Sequence, residues 1–172
     1  MIDMPGLDGH SGDHETLTLL YALVRYIKPA LIVEAGTYMG HATVTMAHAL
    51  KEGKIDGEIW TADIYDYGAK ASVERNGFSE YVKFFDGDFT DMLEGPLKDR
   101  KYRMAFVDSG PSCQVETAVD VRHRHALRAL ESLAPSGLMV VDDAAGDWSG
   151  VEEIRKLGIY LPTGRGLVLV QR

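Results

Sequence analysis

The sequence predicts an α/β fold, a three-layer sandwich built on a mostly parallel sheet that one antiparallel strand joins late. Three observations carry this expectation. Short apolar bursts rich in β-branched residues recur along the 172 residues, and segments with helical spacing separate them. The last two bursts are so close in sequence that the link permits a hairpin and forbids a parallel crossover.

The elements follow in order. Thr16, Leu19, Leu20, Leu23, Val24 and Ile27 recur at steps of three and four, which predicts an opening helix. "ALIVEA" (30–35) is the first strand, and Val44, Ala47, Ala49 and Leu50 mark the helix after it. "EIWTAD" (58–63), "YVKFF" (81–85) and "YRMAFVD" (102–108) are the next strands. Ala118, Val121, Ala126, Leu127, Leu130 and Leu133 then give a longer helix, followed by the strand "GLMVVD" (137–142). A short helix over Val151–Leu157 leads to "GIYLP" and "GLVLVQR", linked only through "TGRG". Alternating strand and helix places helices on both faces of the sheet. No repeat, low-complexity tract or linker interrupts the chain, so residues 1–172 read as one domain, with 1–13 as an N-terminal arm.

Composition narrows the function. A hydrophobic share of 45% and a charged share of 26% are those of an ordinary globular domain. The net charge of -8 argues against broad electrostatic binding to nucleic acid or to anionic lipid, and favours a small-molecule partner. No apolar run is long enough to span a membrane and the N-terminus lacks the pattern of a signal peptide, so a cytoplasmic protein is expected. The single cysteine, Cys113, has no disulfide or CxxC partner and reads as a small packing residue.

Ligands of open α/β sheets bind at the carboxyl ends of the strands. Those positions here carry Glu34, Gly36 and Thr37, then Asp63, then Asp86, Gly87, Asp88 and Phe89, then Asp108, and finally Asp142 and Asp143. Five acidic strand ends on one edge repel one another unless a ligand or a cation compensates them. The edge therefore reads as a binding site.

Its first turn restricts the ligand. The glycines are Gly36 and Gly40, with Tyr38 and His41 where a pyrophosphate-binding GxGxxG would have its second and third glycines. GxxxxGK[ST] is absent as well. Glu34 before the turn suits an ammonium group, and the glycines permit close backbone approach. Asp63, followed by Ile64, can accept the hydroxyls of a ribose, while Asp88 offers an acceptor for an exocyclic amine and Phe89 an apolar wall. Ammonium, ribose and adenine together describe S-adenosylmethionine.

"IVEAGTYMGHATVTMA" resembles the first motif of class I S-adenosylmethionine-dependent methyltransferases, in the ExGxxxG form of catechol O-methyltransferase-like enzymes. With "TADIYDY", "FFDGDF", "FVDSG" and "LAPSGLMVVDDAAGDWSGV", the resemblance extends from about Gly12 to Arg172. The "VVDD" segment is also similar to the macrocin O-methyltransferase group. The resemblance implies a three-layer Rossmann-like sandwich with a mostly parallel seven-stranded sheet. It implies a cofactor site at Glu34, Gly36, Thr37, Gly40, Asp63, Ile64, Gly87, Asp88, Phe89 and Asp108. It also implies a magnesium ion on Asp108, Asp142 and Asp143 and methylation of a small hydroxylated acceptor. Hard carboxylate oxygens suit that ion, which would help a bound hydroxyl lose its proton.

Two departures accompany the resemblance. The catechol type carries a lysine base three residues after the first metal acid, where this chain has Pro111. Asp108 itself, His41, His10 or His14 could take the proton instead. Only "AAGD" separates Asp143 from Trp148, so the acceptor pocket is open or completed by a second copy in a homodimer. Trp148 could stack on an acceptor or pack the short helix that follows it, and "HRH" (123–125) reads as a solvated helix face. The alternative function is a non-catalytic or metal-independent S-adenosylmethionine-binding protein of the same fold.

Overall fold

The computed structural model describes residues 14–110, 115–146 and 150–172. The arm with His10, Pro111, Cys113 and Trp148 lies outside them, as does the side chain of Ala118. Strands β1 (Leu31–Ala35), β2 (Glu58–Asp63), β3 (Val82–Asp86), β4 (Tyr102–Val107), β5 (Leu133–Val141), β6 (Ile159–Leu161) and β7 (Leu167–Gln171) form one sheet in the order β3-β2-β1-β4-β5-β7-β6. The strands from β1 to β5 pair in parallel, and β7 runs antiparallel to both β5 and β6. β7 is thus the late antiparallel strand that the short "TGRG" link requires. Strand order reverses between β1 and β4, and in such sheets a crevice opens at that switch point.

Alternation along the strands fills two core layers. On one face Ile32, Ile59, Val82, Met104, Phe106 and Val140 meet α1 (His14–Ile27), α2 (His41–Gly53) and α3 (Ala69–Arg75) through Leu20, Val24, Met46, Leu50 and Val73. On the other, Val33, Ala35, Ala62, Ala105, Val107, Met139 and Val141 meet α4 (Phe89–Glu94), α5 (Val115–Ser132) and α6 (Val151–Leu157). No described helix is long and apolar enough to cross a membrane.

Two elements depart from the sequence pattern. β5 begins at Leu133, earlier than the apolar run at 137, because Leu133 pairs with Tyr102 ahead of a register shift between Tyr102 and Met104. The Tyr102 hydroxyl donates to the Ala129 carbonyl at 2.6 Å and so ties the end of α5 to that irregular start. On α5 the buried residues include Arg122, His125, Ala126 and Ala129, whereas Leu127, expected inside, is 42% exposed. The inner face of this helix is partly polar because its side chains reach the carboxyl edge of the sheet.

Candidate functional site

Four backbone hydrogen bonds continue the parallel ladder past the strand ends. The amides of Gly87, Gly36, Asp108 and Asp142 donate to the carbonyls of Asp63, Ala62, Ala35 and Val107 at 2.9, 2.9, 2.9 and 3.0 Å. The loops after β1 to β5 are therefore held in fixed register side by side. Gly36 adopts φ +90°, and a Cβ there would lie 2.4 Å from the Asp108 carbonyl oxygen. Only glycine lets the first turn approach the β4 loop this closely. Gly40, also at positive φ, closes the turn by donating its amide to the Thr37 carbonyl, and His41 opens α2.

Glu34 is fully buried on the α2 side of β1. Its Oε2 accepts from the Thr43 hydroxyl at 2.6 Å, while Oε1 has no hydrogen-bond partner among the described residues. Burial pushes its pKa up to about 7, the Thr43 and Thr61 hydroxyls oppose the rise, and the charges of Asp108 and Asp63 add to it. Such a carboxylate needs a cation before it ionises readily. Beside it, Thr37 and Thr61 share a hydroxyl hydrogen bond of 2.5 Å that pins the glycine turn to β2.

Asp63 is oriented by backbone. Its Oδ2 accepts from the Tyr38 amide at 2.8 Å and its Oδ1 from the Tyr65 amide at 3.2 Å. Ile64, Tyr65 and Tyr67 are exposed, and Tyr38 packs on Tyr67 with ring centroids 5.0 Å apart. An apolar and aromatic rim therefore flanks Asp63. Asp86, another acidic strand end, lies at the surface in an ion pair with Lys70 at 2.7 Å.

Asp88 caps α4, its Oδ1 accepting from the Thr90 amide at 2.8 Å and its Oδ2 from Arg124 at 2.7 Å. Burial alone would raise its pKa, yet the Thr90 amide, His125 and Arg124 hold it below the usual carboxylate range. Phe89, expected as an apolar wall, is buried in the core with the His125 ring 5.2 Å away.

His125 corrects the solvated-face reading of "HRH". It is 4% exposed, its Nδ1 lies 2.8 Å from the Ser109 hydroxyl, and its Nε2 lies 3.3 Å from both oxygens of Asp88. Burial lowers its pKa against the pull of Asp88, which favours the neutral ring. One tautomer satisfies both neighbours, with Nε2–H donating to Asp88 and Nδ1 accepting from Ser109. Helical periodicity could not find it, because a polar residue on an inner face looks like an outer one. His125→Ala is expected to destabilise the protein by about 2–3 kcal/mol, or roughly 4–12 °C in Tm, through lost packing and two orphaned partners. Scanning calorimetry checks this, and an unchanged Tm would mean that the cluster contributes nothing.

The acids expected to hold magnesium are engaged by two arginines. Arg122, on α5, lies 3.0 Å from Asp108 Oδ1 and 3.0 Å from Asp143 Oδ2. Arg165, between β6 and β7, reaches all three acids, at 2.5 Å from Asp143, 3.4 Å from Asp142 and 3.7 Å from Asp108. Asp142 is fully buried, and neither of its carboxylate oxygens has a hydrogen bond among the described residues. Burial and the other acids raise the pKa of Asp142, and burial raises that of Asp108 against the pull of Arg122. Asp143 goes the other way, because Arg165 and Arg122 outweigh its burial. Among the described residues, no three His, Cys, Asp or Glu side chains are grouped to hold a metal ion. Magnesium needs converging oxygens at about 2.1 Å, and a guanidinium already lies among these. The acids as arranged do not fit the ion.

Among curated proteins, none matches the chain. Solved structures match it closely in fold. An O-methyltransferase from Bacillus cereus, in complex with S-adenosylhomocysteine, superposes with a TM-score of 0.77 at 18% identity, over 94% of this chain and 82% of that one. The O-methyltransferase TomG from Streptomyces achromogenes, involved in tomaymycin synthesis and bound to S-adenosylmethionine, gives 0.72 at 21% identity, over 97% and 82%. A methyltransferase from Geobacter sulfurreducens gives 0.73 at 23% identity, over 95% and 80%. The family model described as a methyltransferase domain matches residues 33–144, from within β1 to just past Asp143 and so across every acidic strand end described above. With that match spanning more than half of its length, the chain belongs to the methyltransferase domain family and carries the class I fold of S-adenosylmethionine-dependent O-methyltransferases.

Proposed function

We propose that the protein transfers a methyl group from S-adenosylmethionine to an oxygen of a small hydroxylated molecule. The observation that carries this reading is the buried Glu34 with an unpartnered Oε1, next to a glycine turn that only glycine can form. An ammonium group would satisfy that oxygen and the surrounding negative potential together. Asp63, fixed by two backbone amides, retains lone pairs for a ribose, and Ile64 with the tyrosine rim offers an apolar face to a base. Bound S-adenosylmethionine supplies an electrophilic methyl on its sulfonium.

This chain's residues would hold the acceptor oxygen in line with that methyl and receive its proton. Asp108 at the switch point and His41 at the start of α2 are the proposed proton acceptors. Gly40, Thr37 and Gly87 shape the backbone around the cofactor, and Asp88 would accept from an exocyclic amine in addition to its Thr90, Arg124 and His125 partners. Magnesium enters no step, since two guanidinium groups occupy the carboxylates that would ligate it. The net charge of -8 supports a small acceptor over a nucleic acid.

Titration calorimetry with S-adenosylhomocysteine tests the reading. The wild type is expected to bind, and Asp63→Ala to bind at least about tenfold more weakly after loss of charge-assisted hydrogen bonds. No binding heat across several temperatures would sink the proposal.

A further inference from the structure

We propose that Arg165, supported by Arg122, takes the place of a divalent cation in this chain, so that its acidic cluster is complete without a metal. The inference concerns the same site as the proposed function but does not need the cofactor to bind. Arg165 is the one described cation that touches Asp108, Asp142 and Asp143 together. Its Nε takes Asp143 at 2.5 Å and Asp142 at 3.4 Å, and its Nη2 faces Asp108 at 3.7 Å. Arg122 bridges the outer two acids from the opposite element, at 3.0 Å each.

The local backbone holds Arg165 in place. The next residue, Gly166, has φ +75°, and a Cβ there would fall 2.3 Å from the Ala145 amide nitrogen. The amides of Ala144 and Ala145 donate to the carbonyls of Gly166 and Arg165, each at 2.8 Å. The hairpin that carries Arg165 is therefore laced to the loop that carries Asp142 and Asp143. A side chain anchored in this way is not a loose surface arginine drawn to acids by chance.

Charge explains the consequence. Three ionised carboxylates left alone would attract a divalent ion strongly, but two guanidinium groups leave at most one uncompensated negative charge. A magnesium ion would have to displace Arg165 and then sit beside the positive charge of Arg122. Arg165 acts here as a positioning residue, setting the orientation and charge of the acids.

Manganese(II), added alone and followed by electron paramagnetic resonance of the free aqua ion, tests this in the full chain. The wild type is expected to leave the signal unchanged, whereas Arg165→Met and Arg165→Gln, checked for folding by their melting curves, are expected to take the ion up. Uptake by the wild type that Asp142→Asn abolishes would overturn the proposal. Failure of both folded variants to take up the ion would overturn it as well, because the arginine would then not be what excludes the cation. Should both variants prove unfolded, the wild-type result decides alone. S-adenosylhomocysteine calorimetry on the same samples separates the two readings: a wild type that excludes manganese and also fails to bind the nucleoside retains the arginine proposal and loses the proposed function.

Discussion

Gly36→Ala is expected to destabilise the protein by about 2–6 kcal/mol and to remove cofactor binding in whatever fraction still folds. Two effects combine. Alanine at φ +90° is strained, by roughly 1–3 kcal/mol, and its methyl would lie 2.4 Å from the Asp108 carbonyl oxygen and 2.8 Å from its carbon. Relief requires the β1 and β4 loops to part, which adds an overpacking cost of about 1–3 kcal/mol and opens the switch point that orders the site. Gly77→Ala is the control, since it also has positive φ, at +70°, but no atom within 4 Å of the added Cβ. Urea unfolding of the two variants separates backbone strain from close approach. Equal losses would mean that the contact with Asp108 yields easily and that Gly36 serves only the turn.

Glu34→Gln is expected to have effects of opposite sign on stability and on binding. The folded-state pKa of Glu34 is raised to about 7 from an ordinary 4.5. A raised acid contributes stability that is fully present below the unfolded value and is lost as pH rises through the folded one. The wild type should therefore weaken between about pH 4.5 and pH 7, by an upper limit of roughly 3 kcal/mol, and level off above. Glutamine keeps an acceptor for Thr43 and carries no buried charge, so the variant should lose this slope and match or exceed the wild type at pH 8. Its affinity for S-adenosylhomocysteine should nevertheless fall about 10–100-fold, because an ammonium group loses a charged partner. Below pH 7, binding to the wild type should also release a proton, visible as a dependence of the calorimetric heat on the buffer. Unchanged affinity in the variant would reduce Glu34 to a structural acid.

Much of the fold was legible in the chain. Each β-branched burst is a strand because a strand buried on both faces needs apolar residues in succession. The brief "TGRG" link left no room for a crossover, so β7 had to run antiparallel to β6. The acids after the strands were also legible, since their place on one edge follows from parallel topology alone.

What the sequence could not show is which side chains meet those acids. Asp108, Asp142 and Asp143 read as a metal cage because, in one dimension, nothing connects them to Arg122 on a helix or to Arg165 on a hairpin. His125, Ser109 and Asp88 are likewise drawn from three separate elements, and no periodicity joins them. A helical pattern reports which residues avoid water, and a buried polar residue avoids it only if a distant partner satisfies it. Local pattern and topology thus fixed the sheet and the acidic edge. Only the packing of α5 and of the β6–β7 hairpin against that edge decided that guanidinium groups compensate the acids.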